Sequence, residues 1–496
     1  MSKEGTGMNI LIDSPEPGNL LLYPVYEEEP FVFRLAEAHK RTGCITWLYG
    51  RSGEEPDVLA VGMGKRRELT PERIRRAGGR AARALLREGY SAAVLVRLKE
   101  AAASATVEIG AAAEVQAWSE GWLFGLYRFQ TYRGVSRTEG SADLLLQSAE
   151  WAELSAAGLR EAVESGCSRA AGVSIARDLV NEVPGTLHPD YFSEWLETYF
   201  TRSDVPVKVR VYRGRELDQL EMNGLVAVGA GSKHAPAMVE IRYEANPDLP
   251  MLALIGKGVT FDMGGMNVKN GRDLSDARMD MGGAAAVIGA MDILLRRRAA
   301  VNVTALIPVV DNVPDAAAML PSSVIRYPNG LIVQVANTDG EGRLVIADAL
   351  LHAARLGAVE VIDIATLTGN VGAALGLSIA GIWGDAGMTQ NLADIGEVNG
   401  ERLWPMPLMD EYEAELSSPY ADLSNVGSST LAGAITAALF IRRFVAKSMR
   451  WVHIDMAGTV QYKQDVGYAE RGATGYGARL LADYVLKQES GQDNNR

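Results

Sequence analysis

Short apolar runs, separated by Gly-punctuated polar loops and by stretches of helical spacing, recur along most of the chain. In the first part, residues 10–12, 44–48, 58–61 and 93–96 are predicted strands, and Thr70-Pro71-Glu72 opens a helix with proline in its first turn. Residues 149–179 are Ala-rich and helical, interrupted by Gly158, Gly166 and Gly172. They are read as a long helix joining two domains, stopped by Pro184-Gly185 and followed at Leu187-His188-Pro189 by another. Beyond it, residues 207–212, 225–228, 239–243, 251–255, 303–309, 331–336 and 361–364 are strand-like, with helical segments between several of them. Such βα alternation predicts an α/β fold with a mixed, largely parallel sheet covered by helices. The expected division is a smaller N-terminal α/β domain over 1–150, a linker helix over 151–178 and a larger C-terminal domain over 179–496.

Composition narrows the function classes. The chain has 496 residues, 47% of them hydrophobic, so a sizeable core can be buried. A net charge of −13 disfavours nonspecific binding to nucleic acid or anionic membrane. Cys44 and Cys167 stand far apart without a partner motif, which argues against a disulfide framework or a cysteine zinc site and fits a cytoplasmic setting. The first nine residues lack an apolar core of the kind a signal peptide needs. Residues 364–384 carry no charge, yet their glycines, threonines and Asn370 read as a packed core segment, not a membrane span. Six arginines between Arg73 and Arg87 follow Lys65, Arg66 and Arg67. They allow a nucleic-acid patch, but with Ile74, Ala77, Ala81 and Leu85 on the other side they read better as the solvated face of a helix. The aromatics Trp122, Phe124, Tyr127, Phe129 and Tyr132 are read as core and hinge material.

The chemistry concentrates in two Gly-rich loops that follow strands. One is Asn337-Thr338-Asp339-Gly340-Glu341-Gly342-Arg343, between the run at 331–336 and a helix expected over 344–356. Alone it is ordinary turn chemistry, with Glu341 favouring a helix N-terminus. The other begins at Gly256-Lys257-Gly258-Val259-Thr260-Phe261-Asp262 and continues through Gly264-Gly265, Lys269 and Asp280-Met281-Gly282-Gly283. Four carboxylates meeting at neighbouring strand ends would repel one another, and some would have to be protonated unless cations were present. Oxygen-rich sites of this kind suit Mn, Mg or Zn.

Taken together, these two loops resemble the cytosol (leucyl) aminopeptidase family, and the segment 337–343 is close to its most diagnostic sequence. Further similarity lies in Ala176-Arg177-Asp178-Leu179-Val180-Asn181, Ala365-Thr366-Leu367-Thr368-Gly369, Ala421-Asp422-Leu423, Ala432-Gly433-Ala434-Ile435-Thr436-Ala437 and Trp451-Val452-His453-Ile454-Asp455. The resemblance spans most of residues 119–485.

The resemblance implies a metalloaminopeptidase with two divalent ions per subunit, Mn or Zn first and Mg or Co after them. Lys257, Asp262, Asp280 and Glu341 would hold one ion; Asp262, Asp339 and Glu341 would hold the other. Lys269 would stabilise charge on the carbonyl oxygen, and Arg343 would hold a bicarbonate that moves the proton from water to the leaving amine. Lys269, Thr366, Gly369 and Ala277 would contact substrate, a peptide with a free N-terminus. The family also implies a homohexamer. Histidine has no part in this scheme, and His453 is read as structural. Met263, Gly340 and Asn270 depart from the residues usual in the family, as does Ala277, where a methionine often lines the specificity pocket. These departures bear on side-chain preference more than on the ligand set. The alternatives from other classes are a catalytically silent scaffold and a DNA-binding regulator.

Overall fold

The computed structural model describes residues 9–15, 19–52, 55–98, 109–135, 140–271 and 273–489. It separates into two compact units, one of residues 1–174 with 462–471 and the other of residues 175–461 with 472–496. Both are α/β.

The first unit is built on a six-stranded sheet in the order Ile10–Ile12, Asp143–Leu146, Ala92–Leu95, Leu20–Tyr26, Asp57–Gly64, Ile45–Leu48. All neighbours are parallel except the last pair. The strand Leu20–Tyr26 escapes the sequence reading because Pro24 interrupts it. Pro24 lies beyond Leu22, the last residue paired with Ala92–Leu95, so one flank of the strand makes no ladder there and the absent N–H is tolerated. Helix Pro71–Glu88 is capped by the Thr70 side chain, which accepts from Arg73 N, and it ends at Gly89 in the left-handed region. Its inner face buries Ile74, Ala77, Ala81 and Leu85, as the helix-face reading expects. Several of its arginines pair with carboxylates: Arg73 with Glu68, Arg76 with Glu72, Arg83 with Asp465. Arg75 is buried and bonds Glu120 at 2.7 Å, a carboxylate that Arg169 also holds. Trp122 and Phe124 lie within helix Ala111–Leu126 and are buried.

In the second unit eight strands form a continuous order: Leu403–Pro405, Ala380–Gly384, Arg450–Asp455, Glu360–Ala365, Leu252–Gly256, Asn302–Asn312, Ala237–Glu244, Val207–Arg213. The central strands are parallel, and Ala237–Glu244 and Val207–Arg213 continue the sheet antiparallel. Helices Gly282–Arg296 and Glu341–Leu356 contribute long runs of buried residues, as expected beside a parallel sheet whose strands are buried on both faces. The uncharged segment 364–384 resolves into a strand end, the short helix Gly369–Leu375 and the strand Ala380–Gly384. No described helix is long and apolar enough to cross a membrane.

Two strand expectations are corrected. Residues 225–228 belong to helix Asn223–Gly229; the apolar run is too short to distinguish strand from helix by period, and its burial against Leu344 and its neighbours decides. The run at 331–336 contributes only the strand Ile332–Gln334, which joins Val324–Arg326 and Leu423–Ser424 in a separate three-stranded sheet. The loop 337–340 therefore leaves a small side sheet, not a strand of the main one.

Candidate active site

Lys257 occupies the single residue between two strands that lean on the same neighbour. Leu252–Gly256 pairs with Val303 to Leu306, and Gly258–Asp262 pairs further along with Val309 to Asn312. On the other flank the ladder to Glu360–Ala365 ends here, where Lys257 N donates to Ile364 O at 3.1 Å. The helix that follows Asp280 presses against this point. A Cβ at Gly283 would stand 2.0 Å from Ile364 O, and one at Gly256 would stand 2.6 Å from Ala284 Cα. Glycine at these positions is what lets Asp280 come up to Lys257.

Lys257 Nζ lies 2.6 Å from Asp280 Oδ2 and 2.8 Å from Glu341 Oε1. Thr366 Oγ1 donates to Asp280 Oδ1 at 2.8 Å. Asp262, which ends its strand, accepts at Oδ1 from Gly264 N and from Asn312 Nδ2, both at 2.9 Å. Lys269 Nζ is 2.8 Å from Asp262 Oδ2 and also contacts Asp339 Oδ1. One oxygen each from Asp262, Asp280 and Glu341 falls within 4.8 Å of the other two. Asp339 is tied to this group through Lys269, which bridges it to Asp262.

The loop carrying Asp339 is held from both sides. Thr338 Oγ1 donates to Gly264 O and accepts from Asn267 N. Asn425 accepts from Ala336 N at Oδ1 and donates to Asn337 O at Nδ2. Gly264 and Gly265 have φ of +87° and +59°, and a Cβ at Gly264 would come within 2.9 Å of Asp339 Oδ1. Glu341 is the first residue of helix Glu341–Leu356, where the helix dipole favours its charge.

Electrostatics follow from burial. The carboxyls of Asp280, Glu341 and Asp339 are all pushed above the usual carboxylate range, first by burial and also by the neighbouring carboxylates. Burial pulls Lys257 down, but Asp280, Glu341 and Asp262 outweigh it, so its ammonium is held above the ordinary lysine value. Lys269 is raised in the same way, chiefly by Asp262. Two ammonium groups thus face four carboxyl groups in a desolvated cluster, and ionising all four together needs further positive charge. Buried oxygens at this spacing, with a lysine amine among them, fit small divalent cations. One atom points the same way: Asp280 Oδ2 is buried and, despite its closeness to Lys257 Nζ, has no aligned hydrogen-bond donor.

Arg343 is buried, and burial pulls its pKa down to about 10. Its Nη1 donates to Asn425 O at 2.8 Å, while its Nε is buried without a hydrogen-bond partner. Ala277 is buried on the short turn Ser275–Met279 just ahead of Asp280. Gly369 is exposed, and a Cβ built there would meet nothing within 4 Å. His453 bonds Asp363 at 2.5 Å, both fully buried, and stays a structural residue.

Sequence reasoning missed Asn312 and Asn425. The Asn312 amide donates to Asp262 Oδ1, Thr338 O and Glu341 Oε2 at 2.9–3.3 Å, joining both acidic loops. The signal available was a polar Asp311-Asn312 pair closing the apolar run 305–310 of its strand. Asp455 was seen only as part of a motif. It holds the 366–368 loop by accepting from Leu367 N and Thr368 Oγ1.

Known proteins share this arrangement of chain. The profile of the cytosol aminopeptidase family, catalytic domain, matches residues 174–482, and that of the family's N-terminal domain matches residues 34–136. A probable cytosol aminopeptidase of Geobacter sp. (strain M21) is 36% identical over 468 residues, covering 92% of this chain and 91% of its own length. One from Mycobacterium ulcerans (strain Agy99) is 37% identical over 432 residues, covering 86% of this chain and 80% of its own. The solved structure of the bottromycin maturation enzyme BotP in complex with Mn superposes with a TM-score of 0.84 at 29% identity, over 95% of this chain and 100% of that one. With both of its domains matched and its acidic loops folded together, the chain belongs to the cytosol aminopeptidase family.

Proposed function

We propose that this chain is a two-metal aminopeptidase that releases the N-terminal residue of peptides bearing a free α-amine. The observation that carries the reading is the convergence of Lys257, Asp262, Asp280 and Glu341, with Lys269 bridging Asp262 to Asp339. Lys257, Asp262, Asp280 and Glu341 would hold one divalent ion, and Asp262, Asp339 and Glu341 the other. When bound, such a pair supplies Lewis-acid polarisation of the scissile carbonyl and a water that is nucleophilic near neutral pH.

The chain's own residues do the rest. Lys257 would ligate only as the free amine, giving up to solvent the proton that Asp280 and Glu341 hold on it here. Asn312 fixes the carboxylates of Asp262 and Glu341, so the oxygens need little reorganisation. Lys269 keeps its proton and offers an ammonium to the negative charge that grows on the carbonyl oxygen. Arg343, anchored at Nη1 with Nε still unspent, suits a small planar anion, and bicarbonate there would carry the proton to the leaving amine. A substrate's free α-amine would offer one more neutral donor beside these residues and so place the carbonyl of its first residue at the site; an acetylated peptide lacks that donor. Manganese is supported by the Mn complex of BotP, and zinc by the mixed amine and carboxylate donor set. A hexamer and a cytoplasmic setting belong to the same proposal and rest on family resemblance alone.

Metal-stripped protein should be inert towards a panel of amino-acid amides and regain hydrolysis on adding Mn, Zn, Mg or Co. Turnover without metal, or on N-acetylated substrates, would overturn the reading.

A further inference from the structure

A second group of metal-ligating side chains stands outside the carboxylate–lysine centre. His188 is the N-cap of helix Pro189–Thr201, Asp190 is in that helix's first turn, and His234 lies in the loop after helix Asn223–Gly229. The two imidazole rings stack, with centroids 3.8 Å apart and planes 9° from parallel. His234 Nδ1 is 2.6 Å from Asp190 Oδ2. One ligand atom from each of the three residues falls within 4.8 Å of the other two, and all three are half-buried.

Capping and ion pairing explain part of this. Tyr191 N donates to His188 Nδ1 at 3.4 Å, a long bond, and the His234–Asp190 contact is of an ordinary kind. Neither accounts for three ligating side chains from two separate segments meeting at one point. The stacked rings hold their in-plane lone pairs side by side, so each must tilt out of the stack to reach one ion.

We propose that His188, Asp190 and His234 form an additional metal site for a borderline transition ion, Zn²⁺ above all. Two imidazoles and a carboxylate are a donor set that zinc, copper and nickel take readily and that magnesium does not. On binding, the ion takes the place of the proton between His234 and Asp190, and that proton goes to solvent. His188 turns its lone pair from Tyr191 N to the ion, giving up only the long cap bond. A fourth position is left for water.

The site is wired to the catalytic strands. Ser232 Oγ accepts from His234 N at 3.1 Å and donates to Asp311 Oδ2 at 2.8 Å, and Asp311 also bonds Thr260 Oγ1. The next residue is Asn312, which holds Asp262 and Glu341. An ion bound here braces the helix Pro189–Thr201 and the 231–234 loop against the strand ends that present the catalytic ligands.

The two centres differ in their nitrogen donors, which makes them separable by spectroscopy: the catalytic set contains no imidazole. Full-length protein receiving Cu²⁺ stepwise should show imidazole-nitrogen modulation in pulsed electron paramagnetic resonance. The His188→Ala/His234→Ala variant should lose that signal, and in equilibrium dialysis against Zn²⁺ it should retain one fewer equivalent per chain than the unsubstituted protein. Should the double variant misfold, Asp190→Asn and His234→Gln taken singly should each weaken zinc binding at this site by at least about tenfold. An imidazole signal that is missing from the unsubstituted protein or survives in the double variant, or an unchanged zinc count, would overturn the proposal.

Discussion

Gly342 leaves the room that the Lys257 side chain fills: a Cβ built on residue 342 would lie 2.7 Å from both Cε and Nζ of Lys257. Lys257 cannot simply swing away, because Asp280 and Glu341 grip its amine and Leu367 Cδ1 stands 2.9 Å from the same added carbon. Alanine in a helix is favoured over glycine by roughly 1 kcal/mol, which offsets part of the clash. Gly342→Ala is therefore expected to lower the melting temperature modestly while kcat/KM falls by at least about tenfold, or ~1.4 kcal/mol. Thermal melts beside steady-state kinetics test this, and full activity would show that the amine has slack.

Asn312 acts through the carboxylates it holds. Asn312→Ala removes a donor to Asp262, Thr338 O and Glu341 at once. Metal affinity should fall by about 10–100-fold, the usual range when an outer-shell partner of a ligand is lost. Rate against metal concentration discriminates: high metal should restore much of the activity, and a loss independent of metal would place Asn312 in the chemistry itself.

Lys269 and Asp339 touch one another but have different tasks in the proposed reaction. Lys269→Ala should lower kcat by about 10²–10³-fold with metal content little changed, as removal of an oxyanion stabiliser does. Asp339→Asn and Glu341→Gln should abolish turnover with the fold intact. If Lys269→Ala instead emptied the metal sites, its role as electrophile would be lost.

Away from the site, Glu240 sets an acid limit on stability. Burial alone would raise its pKa, but His352 Nε2 at 2.7 Å and Arg242 Nε at 2.5 Å bring it down to about 2, from an ordinary 4.5. A depressed carboxylate contributes its stabilisation above the unfolded value and loses it as pH falls through the folded one. Melting temperature should drop between pH 4.5 and about 2 in the unsubstituted protein. Glu240→Gln should melt lower at pH 7, with a flatter profile over that window and unaltered turnover of the folded enzyme. An equal slope in both proteins would remove Glu240 from the account.

Much of the candidate site was legible because its ligands are clustered in sequence. Lys257 and Asp262 share one strand–loop segment, Asp339, Glu341 and Arg343 another, and each lies next to glycines whose purpose is local. The Arg-rich helix was legible for the same reason, since its inner face follows a helical period. What was not legible depends on distant partners. Asn312 bonds Asp262 across 50 positions and Asn425 grips the 337–340 loop across more than 80, so neither stands out in its own neighbourhood.

Pattern and motif alone determined an α/β chain in two parts, with four carboxylates and two lysines committed to Gly-rich loops. Tertiary structure decided that residues 225–228 coil as a helix, that the 337–340 loop springs from a small side sheet, and that Pro24 lies inside a strand. It also brought His188 and Asp190 to His234. The physical reason is common to all of these. Local preference is worth a fraction of a kilocalorie per residue, whereas burial and hydrogen bonding against residues far along the chain are worth several times that, and only the folded chain brings those residues together.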